Sequence, residues 1–386
     1  MNQTGSLRNR AAKFGLDAVS ALTPRRIGSP SARRTVGVLL FWGIGDAVLT
    51  TPFLRTLRAA LPNSDIVAIG KPWLPELLGD EKLVDDFVPV VPPWTRHTGK
   101  YRIWSAEWRE FSRTVRRLAT RRFDLLISLR PDPRETLLGR LLPCHEFAGY
   151  ALAGGAGWVT TDLGRAVGDE AATYRGDLAS LAAMELLGVR PPAEPHLTIL
   201  PPPPELIRQL SAARYQDRPI LAVGFGASHP LRRWNAERIT QSLALLRRPP
   251  GAYLVIDFDD APQFAVPGNA PIIRWRGPLG DLRRVLAAAD VAFCTDSGVM
   301  HVAAAVGCRV VAVFGPGSTA RFAPRPPLHA TYAVEPMPCR PCSDNCLYAS
   351  PLCLDRVDVS AVAALLDDAL AAVTRPRIVR RDAVAV

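Results

Sequence analysis

The chain has 386 residues, 48% of them hydrophobic and 22% charged, which suits a well-cored globular protein too long for one efficient core and so predicts two domains. No run approaches the roughly 18 apolar residues of a membrane span, and Met1 to Ser31 lacks the apolar core of a secretion signal, so the expected location is the cytoplasm. A formal net charge of +11 calls for an anionic partner, whether nucleic acid, a membrane surface or an acidic substrate.

Much of that charge sits at the two ends. Arg8, Arg10, Lys13, Arg25, Arg26, Arg33 and Arg34 fall in a basic tail over residues 1–34, and Arg375, Arg377, Arg380 and Arg381 close the chain. Leu7 to Leu22 reads either as a weakly amphipathic helix that lies on a membrane or as a solvating basic tail. Thr35 to Phe41 (TVGVLLF) is an almost unbroken apolar run, as expected of a strand buried on both faces of a parallel sheet. The turn Gly43-Ile44-Gly45 leads into a helix predicted over Asp46 to Leu61, which Pro62-Asn63 stops. Further strands are expected at Asp65 to Gly70, Asp86 to Val90, Asp124 to Leu129 and Glu146 to Tyr150, with an Arg-rich segment from Trp104 to Arg122 among the connections. This alternation predicts an open doubly wound sheet over residues 35–200.

The tetraproline Pro201 to Pro204 favours extended backbone and reads as a semi-rigid link. A second α/β unit over residues 205–359 follows. Its strands are expected at Ile220 to Phe225, Tyr253 to Asp257, Ile272 to Trp275, Val291 to Thr295 and Arg309 to Phe314. Helices are expected at Asn235 to Leu246, Asp281 to Ala289 and Ser297 to Val306, with a closing helix and basic tail over residues 360–386. Two such halves predict a ligand in a cleft between them, outside the carboxyl ends of the strands.

Three constellations fall at those strand ends. In the first, the glycine turn exposes amides and places Asp46 at a helix start, where it is either an ordinary cap or a reactive carboxylate. GxG without a third glycine is a poor dinucleotide signature, so NAD binding is set aside. In the second, Gly226 to Trp234 gathers Ser228, backbone amides and Arg232, groups able to hold a diphosphate, or else forms a solvated basic turn with Trp234 packed beneath. In the third, Thr295-Asp296-Ser297-Gly298 opens a helix carrying His301, an anion site built from helix N-terminal amides. Gly298 would let a ligand approach the backbone. The plainer alternative makes Asp296 a cap and His301 a core histidine.

Taken together, GIGDAVLTTPFLRTLRAALP, SHPLRRW and DSGVMHVAAAVGCRVVAVFGP resemble the heptosyltransferase family of bacterial lipopolysaccharide assembly, glycosyltransferase family 9, from Thr35 to about Val373. The resemblance implies the α/β GT-B fold, two Rossmann-like domains facing a central cleft, and inverting transfer that needs no metal or other cofactor for catalysis. It implies Asp46 as the carboxylate base, with Gly43 and Gly45 in its turn. Ser228 would contact the donor phosphates, and Asp296, Ser297, Gly298 and His301 would form the donor-binding block. The chain departs from the family pattern at Arg232-Arg233-Trp234-Asn235, where a lysine and a Trp-Pro pair are usual; arginine keeps the charge and binds phosphate bidentately. A ribose contact is expected after the strand ending near Asp257, with Asp257, Asp259 and Asp260 as alternatives. The implied donor is a nucleotide-diphosphate sugar, ADP-heptose foremost. The implied acceptor is an anionic glycolipid or glycan such as a lipopolysaccharide core, met at the inner face of the cytoplasmic membrane.

Cys339, Cys342, Cys346 and Cys353 make a CxxCx₃Cx₆C pattern in a polar loop. Closely spaced thiols in a cytoplasmic chain point to a structural zinc or an iron–sulfur cluster, or to free or redox-linked thiols. Cys144, Cys294 and Cys308 read as small buried residues. A nucleotide-sugar epimerase and a non-catalytic nucleotide-sugar-binding protein are the competing functions. Nucleic-acid binding rests on charge alone and is not expected.

Overall fold

A computed structural model describes residues 13, 16–21, 34–95, 102–151, 154–168, 173–212, 218–257, 261–342 and 346–374. Arg8, Arg10, Arg25, Arg26, Arg33, the arginines from Arg375 onward, Asp259 and Asp260 lie outside the described residues, as does much of the predicted segment Leu7 to Leu22. The chain divides into two compact units, Met1–Ala193 and Glu194–Val386.

The first unit is built on β1 (Thr35–Leu40), β2 (Asp65–Gly70), β3 (Asp86–Pro89), β4 (Phe123–Ser128), β5 (Cys144–Gly149) and β6 (Thr161–Asp162). All pairings are parallel, in the order β3-β2-β1-β4-β5-β6. Every residue of β4 is buried, as an apolar strand covered on both faces must be. The register is tight at its second strand: a Cβ on Gly70 would stand 2.1 Å from the Leu40 carbonyl oxygen, so only glycine fits there.

The helix expected over Asp46 to Leu61 is two helices, α1 (Ile44–Leu49) and α2 (Thr51–Ala60). Pro52 has no N–H to give the ladder and its ring opposes the carbonyl four residues back, so the run breaks at Thr50. The hydroxyls of Thr50 and Thr51 donate to the carbonyls of Asp46 and Val48, at 2.7 and 2.8 Å. The unit also contains α3 (Leu74–Leu78), α4 (Ala106–Leu118), α5 (Pro133–Leu141) and α6 (Arg175–Leu187), with α6 packed on α1 and α2.

The second unit contains β7 (Ile220–Gly224), β8 (Ala252–Ile256), β9 (Ile272–Trp275), β10 (Val291–Thr295), β11 (Arg309–Phe314) and β12 (Ala330–Ala333). Its order, β12-β11-β10-β7-β8-β9, is that of the first sheet, and again every pairing is parallel. Pro204 opens α7 (Pro204–Ala212), so the proline run lies inside this unit and the division between units falls earlier, after Ala193. Helices α8 (Ala236–Ala244), α9 (Leu279–Leu286), α10 (Gly298–Ala305), α11 (Thr319–Phe322), α12 (Leu352–Asp355) and α13 (Val359–Ala371) complete it. The closing helix α13 is no separate segment: Val362, Leu366 and Leu370 are buried in the same core as Val311, Val313 and Phe293.

In both sheets the strand order reverses beside the first strand, between β1 and β4 and between β7 and β10. Loops diverge there in opposite directions and leave a crevice outside the carboxyl ends, where open α/β sheets bind ligands.

Candidate functional sites

At the switch point of the first unit, Gly43 has extended backbone and caps α1, and its N–H donates to Asp46 Oδ2 at 3.3 Å. Asp46 is therefore the third residue of the helix rather than its cap. Its side chain reaches back over the first turn, a favourable place for an anion. Gly45 is the second helical residue and Asp46 Oδ1 looks across the switch point. There it meets Arg130 Nη1 at 2.8 Å, from the turn after β4, and Arg175 Nε at 3.9 Å, from the start of α6. Trp42, Gly43, Asp46, Thr50, Arg130 and Arg175 line a solvent-open hollow at this switch point.

Neither arginine was singled out in the sequence, and Glu135 was also missed. The available signal was the polar run Arg130-Pro131-Asp132-Pro133-Arg134-Glu135, which follows a fully buried strand. Asp132 caps α5, accepting from the Arg134 amide at 2.9 Å and from the Arg134 guanidinium at 2.8 and 2.6 Å. Glu135 is fully buried. It accepts from the Trp42 indole N–H and, at 2.5 Å, from the Ser128 hydroxyl. Burial pushes its carboxyl up to about 7, with neighbouring Asp132 adding to the rise and Ser128, Trp42 and Arg130 opposing it. The Arg130 guanidinium lies 3.8 Å over the Trp42 ring, a cation–π contact. Asp46, Arg130, Trp42, Glu135 and Ser128 thus form one continuous network.

The second unit repeats the theme with the partners exchanged. Arg232, in the loop after β7, places Nη1 3.4 Å from Oδ2 of Asp296, which directly follows β10. Thr295 Oγ1 fixes the loop by donating to the Arg232 carbonyl at 2.8 Å. Asp296 is 3% exposed and rests against Gly317, where a Cβ would stand 2.1 Å from Oδ2. The cap of α10 is Ser297, not Asp296, and its hydroxyl makes no capping bond. Gly298 and the next residues present their amides at the helix start, and His301 is buried with its ring edge-on to Phe322. Arg232, Asp296, Ser297, Gly298 and His301 are therefore gathered at one strand end, while Ser228 is exposed on the same loop as Arg232. Trp234 has no role in that site. It is 1% exposed, packs against Phe225 and Phe293, and donates to the Leu354 carbonyl at 3.2 Å. Asp257 lies just past β8.

Arg340 also went unnoticed in the sequence. Its side chain is 5% exposed and donates to the carbonyls of Gly317 and Val334, each at 3.1 Å, which fastens the turn that cradles Asp296. Cys339 and Cys342 lie on either side of it in the sequence. Among the described residues no group of three or more His, Cys, Asp or Glu side chains is placed to hold a metal ion. Cys353 is buried in the core of the unit, its thiol pushed up to about 11 chiefly by that burial, whereas Cys346 turns to the Ser350 carbonyl at 3.8 Å. Cys339 and Cys342 lie near enough to Cys353 to push its thiol further up, while Arg340 opposes them. Cys144, Cys294 and Cys308 are buried, as expected.

Residues 276–349 match the family model described as glycosyltransferase family 9 (heptosyltransferase). No curated protein sequence matches the chain. Among solved structures the chain is similar to Escherichia coli heptosyltransferase WaaC with ADP, at 15% identity and a TM-score of 0.61, over 87% of this chain and 99% of that one. It is similar to Escherichia coli ADP-heptose lps heptosyltransferase II at 17% identity and a TM-score of 0.58, over 88% and 98%. It also resembles the iron-containing dodecameric glycosyltransferase TibC from enterotoxigenic Escherichia coli, at 14% identity and a TM-score of 0.53, over 91% and 78%. These likenesses establish the two-sheet α/β fold as that of GT-B glycosyltransferases.

Proposed function

Starting from a glycosyltransferase of the family 9, heptosyltransferase-like type, we propose that the chain moves a sugar from a nucleotide-diphosphate donor to a lipopolysaccharide-core or related glycan acceptor, with inversion. ADP-heptose is the leading donor, since the similar structures include heptosyltransferases named for it. The observation that carries the reading is the Asp46–Arg130 pair at one switch point and the Arg232–Asp296 pair at the other.

An acceptor hydroxyl is a poor nucleophile until its proton is taken, and a carboxylate within hydrogen-bond reach takes it as attack proceeds. Asp46, oriented by the Gly43 amide and two guanidinium groups, fills that role. Direct displacement by the acceptor oxygen inverts the anomeric centre. The leaving nucleoside diphosphate gathers negative charge, which Arg232 and the α10 amides at Ser297 and Gly298 stabilise. Asp296 holds Arg232 in place, and Ser228 reaches the phosphates from the loop. These fixed cationic groups supply the charge neutralisation, so the proposed reaction needs no metal. Among the described residues no helix is long and apolar enough to cross a membrane. The proposed working place is the inner face of the cytoplasmic membrane, where the basic chain would meet an anionic glycolipid.

The test is transfer from a panel of nucleotide sugars to lipopolysaccharide-core acceptors, with ADP-heptose expected to be used best. Epimerisation of the nucleotide sugar with no acceptor requirement would overturn the reading. The donor half is tested separately by Gly317→Ala. The added methyl displaces the Asp296 carboxylate from Arg232, and loss of one charge-assisted contact is expected to weaken ADP binding about 10-fold by calorimetry. Unchanged affinity in a folded variant would remove that pair from the donor site.

A further inference from the structure

The Ser128 hydroxyl faces two acceptors and has one proton to give. Its Oγ lies 2.5 Å from Glu135 Oε2 and 3.2 Å from the Arg130 carbonyl. When Glu135 is neutral, its O–H donates to Ser128 Oγ, whose own O–H donates to the Arg130 carbonyl, and all three groups are satisfied. When Glu135 is ionised, it accepts the Ser128 O–H, and the Arg130 carbonyl keeps only the Asp132 amide, 2.8 Å away. The other carboxylate oxygen holds the Trp42 indole N–H, and the Trp42 ring is the face on which the Arg130 guanidinium lies, 3.8 Å away. Glu135 therefore grips Arg130 twice, at its backbone through Ser128 and at its side chain through Trp42. Arg130 in turn is the 2.8 Å partner of Asp46.

We propose that Glu135 is a positioning residue: through Ser128 and Trp42, its carboxyl sets where the Arg130 guanidinium stands against Asp46. Its protonation state changes with pH in the neutral range, because burial outweighs the donors that favour the anion. The charged groups around this network are Asp132, Arg130 and Arg134 in the β4–α5 turn, Asp46 on α1 and Arg175 on α6. Asp132 raises the Glu135 carboxyl and Arg130 lowers it. Arg134 is tied up by Asp132 and lies 5.5 Å over the Trp42 ring. Arg175 stands on the far side of Asp46. Among the described residues no other carboxylate accepts the Trp42 N–H, so the proton on Glu135 is read directly by that indole.

The experiment uses the full chain and follows two resonances across neutral pH, the Trp42 indole N–H and the Arg130 Nε–H, assigned with Trp42→Phe and Arg130→Lys. In the wild-type protein both are expected to shift together with one midpoint near 7. In Glu135→Gln both are expected to stay flat, because glutamine reproduces the neutral acid: it accepts from Trp42 and donates to Ser128. Should Glu135→Gln fail to fold, Ser128→Ala serves instead, with the indole still titrating and the Arg130 shift reduced by half or more. A wild-type Arg130 signal that ignores pH, or one that titrates unchanged in Glu135→Gln, overturns the proposal. For turnover, the inference rests on the reading of Asp46 as the base, and kinetics keep the two apart. The pH profile of kcat is expected to flatten in Glu135→Gln with donor KM within about 2-fold of wild type. If transfer survives Asp46→Asn, that reading falls and the resonance result still decides the positioning role.

Discussion

Asp46→Asn is expected to lower kcat for sugar transfer by about 10²- to 10⁴-fold, the usual worth of a positioned general base. Asparagine keeps the shape and one carbonyl oxygen but cannot take a proton from an acceptor hydroxyl. It also turns a donor toward donors. Oδ1 of Asp46 serves Arg130 at 2.8 Å and Arg175 at 3.9 Å, and Oδ2 serves the Gly43 amide at 3.3 Å. With a single amide oxygen, either the guanidinium groups or the helix cap loses its acceptor. Donor affinity is expected to be retained, since the proposed donor groups belong to the other unit. Rates of transfer and ADP binding, measured on the same preparation, separate the two effects. Nearly full transfer by the variant would assign Asp46 to holding Arg130 and Arg175 and nothing more.

The second large effect concerns stability. The Glu135 carboxyl rises from 4.5 to about 7 on folding, so the folded chain binds this proton more tightly than the unfolded chain does. Its contribution to stability is therefore fully present below the unfolded value and is lost as pH rises through the window from 4.5 to about 7. At 1.36 kcal/mol per unit, the loss across that window is about 3 kcal/mol. Glu135→Gln carries no titrating group and is expected to escape it. His329 works in the opposite sense: burial, aided by Arg309, lowers it to about 4, so its contribution falls as pH drops from 6.5. Both proteins share that histidine, and subtracting their urea unfolding free energies at each pH isolates Glu135. Parallel stability profiles for wild type and Glu135→Gln would show that the carboxyl is not held neutral by the fold.

The inner strands of both sheets were legible because a strand covered on two faces must be apolar along its length. TVGVLLF, DIVAIG and the runs before Asp296 and Gly315 declare themselves on that ground. Two short edge strands, β6 and β12, carry no such signal, since none of their residues is fully buried. The helix α6 was missed for a related reason. It is buried almost all round at its start, with Arg175, Gly176, Ala179 and Ser180 inside, so its apolar stripe is not narrow enough to read as amphipathic. The long helix expected after Asp46 misjudged Pro52, which ends one helix and begins another.

By itself the sequence determined the two α/β halves, the glycine turn that presents Asp46, and the Asp-Ser-Gly helix start of the second unit. All of these are local patterns, set by burial period and turn chemistry. Only the tertiary structure decided what Asp46 faces. Arg130 is 84 positions away, and the two meet because β1 and β4 lie side by side where the strand order reverses. The same sheet order brings Trp42 to Glu135 and makes the Arg-Pro-Asp-Pro-Arg-Glu run, with Asp132 and Glu135 buried, the support of a candidate active site. Charge pairing across a parallel sheet depends on which strands are neighbours, and the spacing of residues along the chain holds no record of that.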